Sequence, residues 1–370
     1  MNILTQLKLE IPQMYSQLTI GLSNKRHFAF SIPAHFLMLL LASALAASAA
    51  SSGTDAAPAA NSKTLTIAFM RPGPDPYYQD GQNGAVMAAP NLGAKVVTYF
   101  SNNSQSQELA NVEDAISKKI DGILMYAVSL SAESADVAKA NAAHVPIFLL
   151  YGYDKNLLPK VAGFEQVNLI EYGKEVGAWL TKHLAEGKVA IITGLLGRGD
   201  AEAYAQGFKD GLADDKQLTV VAQVPGDWNR QKAQHAAQDL ITAHPDLKAM
   251  YVENEDMAIG AILALKRAGK LSQVTVVSCN GAPYGLEAIS NGEIQASNTC
   301  SPALEAVMGL RVLTGVIGHT TEPGHLYYSL TVFVTKDNIK DANPWVPDQS
   351  GIEKFLSLPP LKPVAESDLP

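Results

Sequence analysis

Charge is scarce in this chain. Only 17% of its 370 residues are Asp, Glu, Lys or Arg, and the balance is acidic, with a formal net charge of -8. A general nucleic-acid binder needs a basic face to meet phosphates, so that class is disfavoured and no nucleic-acid partner is expected. Cysteine is almost absent: Cys279 and Cys300 are the two. They have two readings, a disulfide in an oxidising compartment or two small buried residues on neighbouring strands. There is no Walker loop, no HExxH pair and no nucleophile elbow, and the eight histidines are scattered. No catalytic constellation, metal or cofactor is therefore expected, and the chain does not read as an enzyme. A glycine cluster, Gly194, Gly197 and Gly199, follows a strand and precedes a helix, but its spacing is GxxGxG and it does not follow the first strand. It fits a loop that allows close backbone approach better than a dinucleotide fingerprint.

What is present begins with an address. Lys25, Arg26 and His27 precede a nearly all apolar or small run, Phe28 to Ala47, and Ala47-Ser48-Ala49 offers small residues at a cleavage spacing. This is the pattern of a secretory signal, with Met14 as an alternative start. Pro33 and His35 interrupt the run, which disfavours a membrane anchor. No Cys follows it, which disfavours a lipoprotein. Residues 50–61 read as a flexible leader.

The mature chain alternates strands and helices. Strands are read at Leu65–Met70, Ala94–Phe100, Gly122–Tyr126 and Pro146–Leu150, with helices at Tyr77–Leu92, Ser104–Lys119 and Ser131–Ala143 between them. The rhythm restarts with a helix at Tyr172–Leu184. Strands follow at Lys188–Thr193, Leu218–Val224, Ala249–Val252, Val274–Cys279 and Ile294–Asn298, with helices between them. A helix at Pro302–Val316 and a last strand at Leu326–Val334 complete the pattern. Alternation at this spacing means parallel βαβ units, and strands that are apolar throughout fit sheets covered on both faces. There are too many units for one sheet, so the fold class is α/β with two doubly wound parallel-sheet lobes. From Pro344 the chain is Pro-rich without clear period and reads as an extended tail.

One stretch organises the rest: Lys248 to Gly269, a short apolar strand running into Asn254, Glu255, Asp256 and a helix. The acidic pair fits a helix N-terminus. Asn254 can cap that helix or turn its amide toward a hydroxylated ligand. Aromatic and amide residues recur just after strands in both halves: Asp75, Tyr77 and Tyr78; Tyr151, Gly152, Tyr153 and Asp154; Trp228 and Asn229; Asn254; Asn280. In open α/β sheets ligands sit outside the carboxyl ends of the strands, so this recurrence predicts a cleft.

Several of these stretches are familiar. GDWNRQKAQHAAQDLITAHPDLKAMYVENEDMAIGAILALKRAGK (226–270), Asp75-Pro76-Tyr77-Tyr78, Gln107 to Val112, and Val276 to Gly281 together resemble the ribose-binding type of periplasmic solute-binding proteins, the sugar-binding component of ABC importers. The resemblance spans roughly Leu65 to Val334. It implies a type I periplasmic binding protein with three chain crossings, near Gly163 to Gln166, Thr299 to Pro302 and Phe333. A small solute, carbohydrate or polyol favoured, would be trapped by hinge closure and passed to a membrane permease.

By position, the resemblance implies as ligand-facing residues Asp75, Tyr77, Tyr78, Tyr151, Gly152, Tyr204, Trp228, Asn254, Asn280 and Cys300. It implies a monomer in the periplasm. Its boundaries are a signal peptide at 1–49, a leader at 50–61, an N-terminal lobe from 62–164 with 301–332, a C-terminal lobe from 165–300 with 333–355, and a tail at 356–370. The sugar-binding pattern carries Asp-Arg at Tyr151-Gly152, Arg at Tyr204 and Asp at Asn280, so the guanidinium forks that grip adjacent hydroxyls are missing. The alternatives are a sensory ligand-binding subunit with the same lobes, and a binder of a non-sugar small molecule such as an amine.

Overall fold

The computed structural model describes residues 63–369, apart from 198 and 214–216. The signal peptide and leader expected at 1–61 lie outside the described residues.

Two six-stranded sheets carry the fold. In chain order the first half runs β1 (Leu65–Arg71), α1 (Pro76–Ala88), β2 (Ala94–Phe100), α2 (Gln105–Ser117), β3 (Gly122–Tyr126), α3 (Leu130–Ala142), β4 (Ile147–Leu150) and β5 (Gly163–Gln166). The second half runs α4 (Leu169–His183), β6 (Gly187–Thr193), α5 (Asp200–Leu212), β7 (Leu218–Pro225), α6 (Arg230–Ala243), β8 (Leu247–Val252), α7 (Glu255–Arg267), β9 (Thr275–Asn280), α8 (Pro283–Ser290) and β10 (Ala296–Thr299). The chain closes with α9 (Pro302–Ile317), β11 (His325–Tyr328), β12 (Val332–Thr335) and α10 (Gln349–Ser357).

The strand orders are β11-β5-β4-β3-β1-β2 and β12-β10-β9-β8-β6-β7. Every pairing is parallel except β10 with β12, which is antiparallel. Sequence chemistry explains the layering. The inner strands β3 and β4 are buried along their whole length, as strands covered by helices on both faces must be. The edge strands β2 and β7 alternate in exposure. Helix starts carry side-chain caps: Asp75, Ser104, Ser129, Asn168, Asn229, Asn254 and Ser301 each accept a first-turn N–H.

The chain passes from the first sheet to the second after Gln166, returns after Thr299, and passes again between Tyr328 and Val332. β5 belongs wholly to the first sheet. Two expectations are corrected here. The single last strand expected over Leu326–Val334 is two strands, one in each sheet, because this apolar run is itself a passage between the sheets. The tail is not wholly extended: α10 forms at Gln349–Ser357, capped by Asp348, and its Ile352 and Phe355 are buried where it packs on α1 and α9.

Helix contact is closest between α4 and α5. A Cβ added at Gly173, Gly177, Gly207 or Gly211 would lie within 2.3 Å of a backbone oxygen of the facing helix. These glycines let the helices touch backbone to backbone, which sets Tyr204 of α5 against Tyr172 of α4.

Candidate functional site

In each sheet the order reverses beside its first strand: β1 lies between β2 and β3, and β6 between β7 and β8. Ligands of doubly wound sheets bind at such switch points, outside the carboxyl ends of the strands. Of the residues the sequence singles out, Asp75, Tyr77 and Tyr78 follow β1, Trp228 follows β7 and Asn254 follows β8, while Tyr151, Asn280 and Cys300 follow or end β4, β9 and β10 further along the sheets. After β1, Asp75 caps α1 by accepting from Tyr77 N at 2.8 Å. Its carboxyl is raised from the usual range, first by burial, then by the Asp256 charge. Asp256 belongs to the second sheet's α7, so this influence crosses between the lobes.

Tyr77 and Tyr78 occupy the first turn of α1. The Tyr77 ring packs edge-on against Tyr78, Tyr126, Tyr151 and Trp345, and its hydroxyl donates to Glu305 Oε2 and lies 3.7 Å from Cys300 Sγ. Tyr151 follows β4 in a left-handed conformation, φ +57°, and its hydroxyl is bonded to that of Tyr204 on the other sheet's α5. Gly152 is buried behind it, and a Cβ there would come within 2.5 Å of Glu133 Oε1. A longer residue at 152 therefore requires Glu133 to move.

On the second lobe the Trp228 indole lies on the backbone of Gly194, where an added Cβ would be 2.0 Å from ring carbons Cε2 and Cζ2. The close approach that the Gly194–Gly199 loop allows is thus that of an indole. Trp228 is also left-handed, φ +56°, and its ring meets Tyr204 edge-on. Asn254 caps α7, its Oδ1 accepting from Met257 N at 2.8 Å. Its neighbours point elsewhere. Glu253 turns back to Gly194 N at 2.7 Å. Glu255, wholly buried, accepts from Gly281 N and the Ser297 hydroxyl at 2.7 and 2.6 Å. Asn280 ends β9 with φ +104°, and its Oδ1 is buried without a partner.

Cys300, buried, lies 3.6 Å from the Asn280 carbonyl; Cys279, also buried, lies 3.3 Å from the Tyr251 hydroxyl. Both are free thiols, so the second of the two cysteine readings holds. Left-handed backbone at residues other than glycine costs about 1–3 kcal/mol and clusters at ligand clamps and active sites. Tyr151, Trp228 and Asn280 are three such residues, each just after or at the end of a strand.

The structure also brings in residues not singled out from sequence. Tyr126 ends β3 at the switch point, fully buried with its hydroxyl unpartnered. Tyr284 opens α8, and Arg230 opens α6. The Arg230 guanidinium reaches Asp256 Oδ1 at 2.6 Å and lies 5.6 Å over the Tyr284 ring. Trp345 arrives from the C-terminal segment and meets both Tyr77 and Tyr284. Tyr126 and Tyr284 had the signal of the others, an aromatic at a strand end or the next helix start. Trp345 had none, since it comes from far along the chain.

Phenols and indoles thus gather where the two lobes meet. Burial pushes the Tyr77, Tyr151 and Tyr204 phenols far up, so they stay neutral. Aromatic walls with sparse hydrogen-bonding groups suit stacking and hydroxyl recognition.

A family described as the periplasmic binding protein domain matches residues 67–320. The ribose import binding protein of Escherichia coli is 33% identical over 225 residues, 60% of this chain and 74% of that protein. A xylitol-binding protein of Mycolicibacterium smegmatis is 25% identical over 76% of this chain and 80% of its own length. A solved ABC transporter solute-binding protein from Bacillus halodurans, with myo-inositol bound, superposes with a TM-score of 0.71 at 22% identity, covering 76% of this chain and 98% of that one. With two doubly wound lobes and a family match across both, this chain belongs to the periplasmic binding proteins.

Proposed function

We propose that this chain is the solute-capturing subunit of an ABC importer. It takes a small polyhydroxylated solute, a sugar, polyol or sugar derivative, between its lobes and delivers it to an inner-membrane permease. It acts as a monomer without turnover. In this reading residues 1–49 are a cleaved signal peptide that sends the chain to the periplasm. The observation that carries the proposal is convergence: Tyr77 and Tyr151 from one sheet meet Cys300 and Tyr204 from the other, with the Tyr151 and Tyr204 hydroxyls in contact and Trp228 edge-on to Tyr204, while Asp75 follows β1, Asn254 follows β8 and Asn280 ends β9. Rings stack on the apolar faces of sugar rings, and the amides and Asp75 take hydroxyls.

The charges narrow the solute. Among the described residues, Arg230 is held by Asp256 and Arg71 by the Gly73 carbonyl and Gln82, while Asp75 adds a carboxylate from the other side. Acidic and phosphorylated solutes are therefore disfavoured, and neutral ones favoured. A cationic amine is the second reading, because aromatic faces beside a carboxylate attract cations.

A thermal-shift screen tests both. A ligand that binds only the native state raises the melting temperature. D-ribose, D-allose, xylitol and myo-inositol are expected to include a stabilising solute, and sugar acids and sugar phosphates none. Stabilisation by amines alone would replace the carbohydrate reading, and consumption of any bound solute would end the non-enzymatic one.

A further inference from the structure

In Asn343-Pro344-Trp345-Val346-Pro347 two prolines fix φ and exclude a helix interior or a central strand. This stretch joins two anchored pieces of the C-terminal segment. Before it, a helical turn at Ile339–Asp341 packs on β12 and α8, both of the second lobe, and Asn338 Nδ2 donates to the Phe333 carbonyl at 3.0 Å. After it, α10 packs on α1 and α9 of the first lobe, and Gln349 Nε2 donates to Asn91 Oδ1 at 3.3 Å. Further on, Val364 N donates to the Leu326 carbonyl of β11 at 2.8 Å. The stretch is therefore a fourth passage between the lobes, beyond the three between the sheets. It is laced to two of those three. Asn343 Nδ2 donates to the Thr299 and Leu330 carbonyls at 3.3 and 3.0 Å, and the Ser301 hydroxyl donates to the Trp345 carbonyl at 3.0 Å.

This backbone holds Trp345 at 6% exposure. Its ring meets Tyr77, in the first turn of α1, edge-on with 6.0 Å between centroids, and Tyr284, in the first turn of α8, at 6.2 Å. One tyrosine belongs to each lobe. An indole donates through Nε1 and cannot accept. Trp345 Nε1 is buried with no acceptor; among the described residues it is the one buried side-chain nitrogen in that state, and the other unpartnered atoms are oxygens. A buried donor left unpaired carries the full desolvation penalty of the group, and buried tryptophans ordinarily find a partner. The small cavity of about 20 Å³ among Ser301, Glu305, Ser329 and Asn343 is not lined by Trp345, so a water held there does not satisfy the indole. The complementary defect stands close by. Cys300 Sγ touches both the Tyr77 hydroxyl and the Asn280 carbonyl, and the Asn280 Oδ1 is a buried acceptor without a donor. A hydroxyl both accepts and donates, so solute hydroxyls answer the two defects alike.

We propose that Trp345 is a specificity-determining residue of the solute site, donating its indole N–H to a hydroxyl or ring oxygen of a neutral polyhydroxylated solute held beside Tyr77 and Tyr284. The inference rests on the reading of this chain as a solute-capturing protein, and it narrows that reading. An ammonium group has donors only and leaves the indole unpaired, so Trp345 selects against the amine alternative. The fourth passage supplies the positioning. Its prolines, Asn343 and Ser301 fix the ring before the solute arrives, which lowers the ordering cost of binding.

Calorimetric titration of the mature protein with D-ribose, D-allose, xylitol, myo-inositol and choline tests this. Trp345→Phe keeps a ring against Tyr77 and Tyr284 but has no N–H. Affinity for the sugar or polyol that binds the wild type is expected to fall about two- to tenfold, the range of a net neutral hydrogen bond. Benzothienylalanine at position 345, with sulfur in place of the indole N–H, keeps the full ring; it isolates the donor and serves should Trp345→Phe fold poorly. It is expected to lose as much affinity. In wild-type protein labelled with nitrogen-15 at its indoles, the resonance absent from the benzothienyl variant belongs to Trp345. That resonance is expected to move downfield when the probe binds. A probe that binds the wild type and the donor-less variants equally, or that leaves this resonance in place, overturns the proposal while the solute reading stands. Binding of choline but of none of the four sugars and polyols ends both together.

Discussion

The hydroxyls of Tyr151 and Tyr204 are hydrogen-bonded to each other, although one residue follows a strand of the first sheet and the other sits on a helix beside the second. Both phenols are neutral, because burial pushes them up, so this is a neutral bond between lobes. Tyr204→Phe keeps the ring against Tyr172 and Trp228 and deletes only the hydroxyl. A neutral hydrogen bond contributes about 0.5–1.5 kcal/mol net. Affinity for the captured solute, measured by calorimetry, should fall by roughly two- to tenfold, with the urea midpoint little changed. A lowered midpoint with unaltered affinity would make the pair a packing contact alone.

Gly194 is predicted to be irreplaceable for a reason outside its own backbone. Alanine there would drive a methyl group to 2.0 Å from the Trp228 ring, and the indole would have to leave. Overpacking of this kind costs about 1–3 kcal/mol. The expected signature of Gly194→Ala is a shifted tryptophan emission and an affinity loss close to that of Trp228→Ala, which removes a ring worth about 0.5–2 kcal/mol in stacking. If the two variants differ widely in affinity, Trp228 is not where Gly194 acts.

The sheets were legible because the chain repeats one local rhythm, an apolar strand then a capped helix, and the caps are ordinary Ser, Asn and Asp. The last passage was not. Leu326 to Val334 is apolar and β-rich without a glycine or proline to mark a break, and only tertiary pairing splits it between two sheets. The candidate-site residues after strands were read through position. Asn254 shows the limit of position alone: its Oδ1 makes the capping bond, the simpler of the two roles its place in the chain allows. Glu305 and Glu165 carry no motif, yet each is a single acid within an apolar run, Pro302 to Leu310 and Val161 to Val167. A carboxyl in such surroundings is a signal of burial.

Asn280 combines strain with an unpartnered acceptor. Its φ of +104° favours glycine, and its buried Oδ1 has no donor. Asn280→Gly should relieve backbone strain of about 1–3 kcal/mol, offset by the roughly 0.5–1 kcal/mol entropic cost of glycine. Unfolding free energy is then expected to hold or rise slightly. Affinity should fall by about 1–3 kcal/mol, the cost of leaving a solute hydroxyl unpaired. Loss of stability together with unchanged affinity would make the residue structural and remove it from the cleft.

Stability should also depend on pH through Glu255. This carboxyl is wholly buried and is raised to about 8, chiefly by desolvation, although Ser297 and the Gly281 and Ala282 N–H groups lower it. Its unfolded value lies near 4.3. The folded state thus binds the proton more tightly, so the contribution is fully present below about pH 4 and is lost as pH rises toward 8. The loss is on the order of a few kcal/mol, since each tenfold change in proton affinity corresponds to about 1.4 kcal/mol. Glu255→Gln retains an acceptor for the Gly281 N–H and stays neutral at every pH. Urea unfolding at pH 5, 6.5 and 8 should show wild-type stability declining more steeply than that of the variant. Parallel lines for the two proteins would mean that Glu255 does not carry the dependence. The remaining slope in the variant then belongs to the other buried carboxyls, among them Glu253, Asp136, Glu165 and Glu305, all raised by burial.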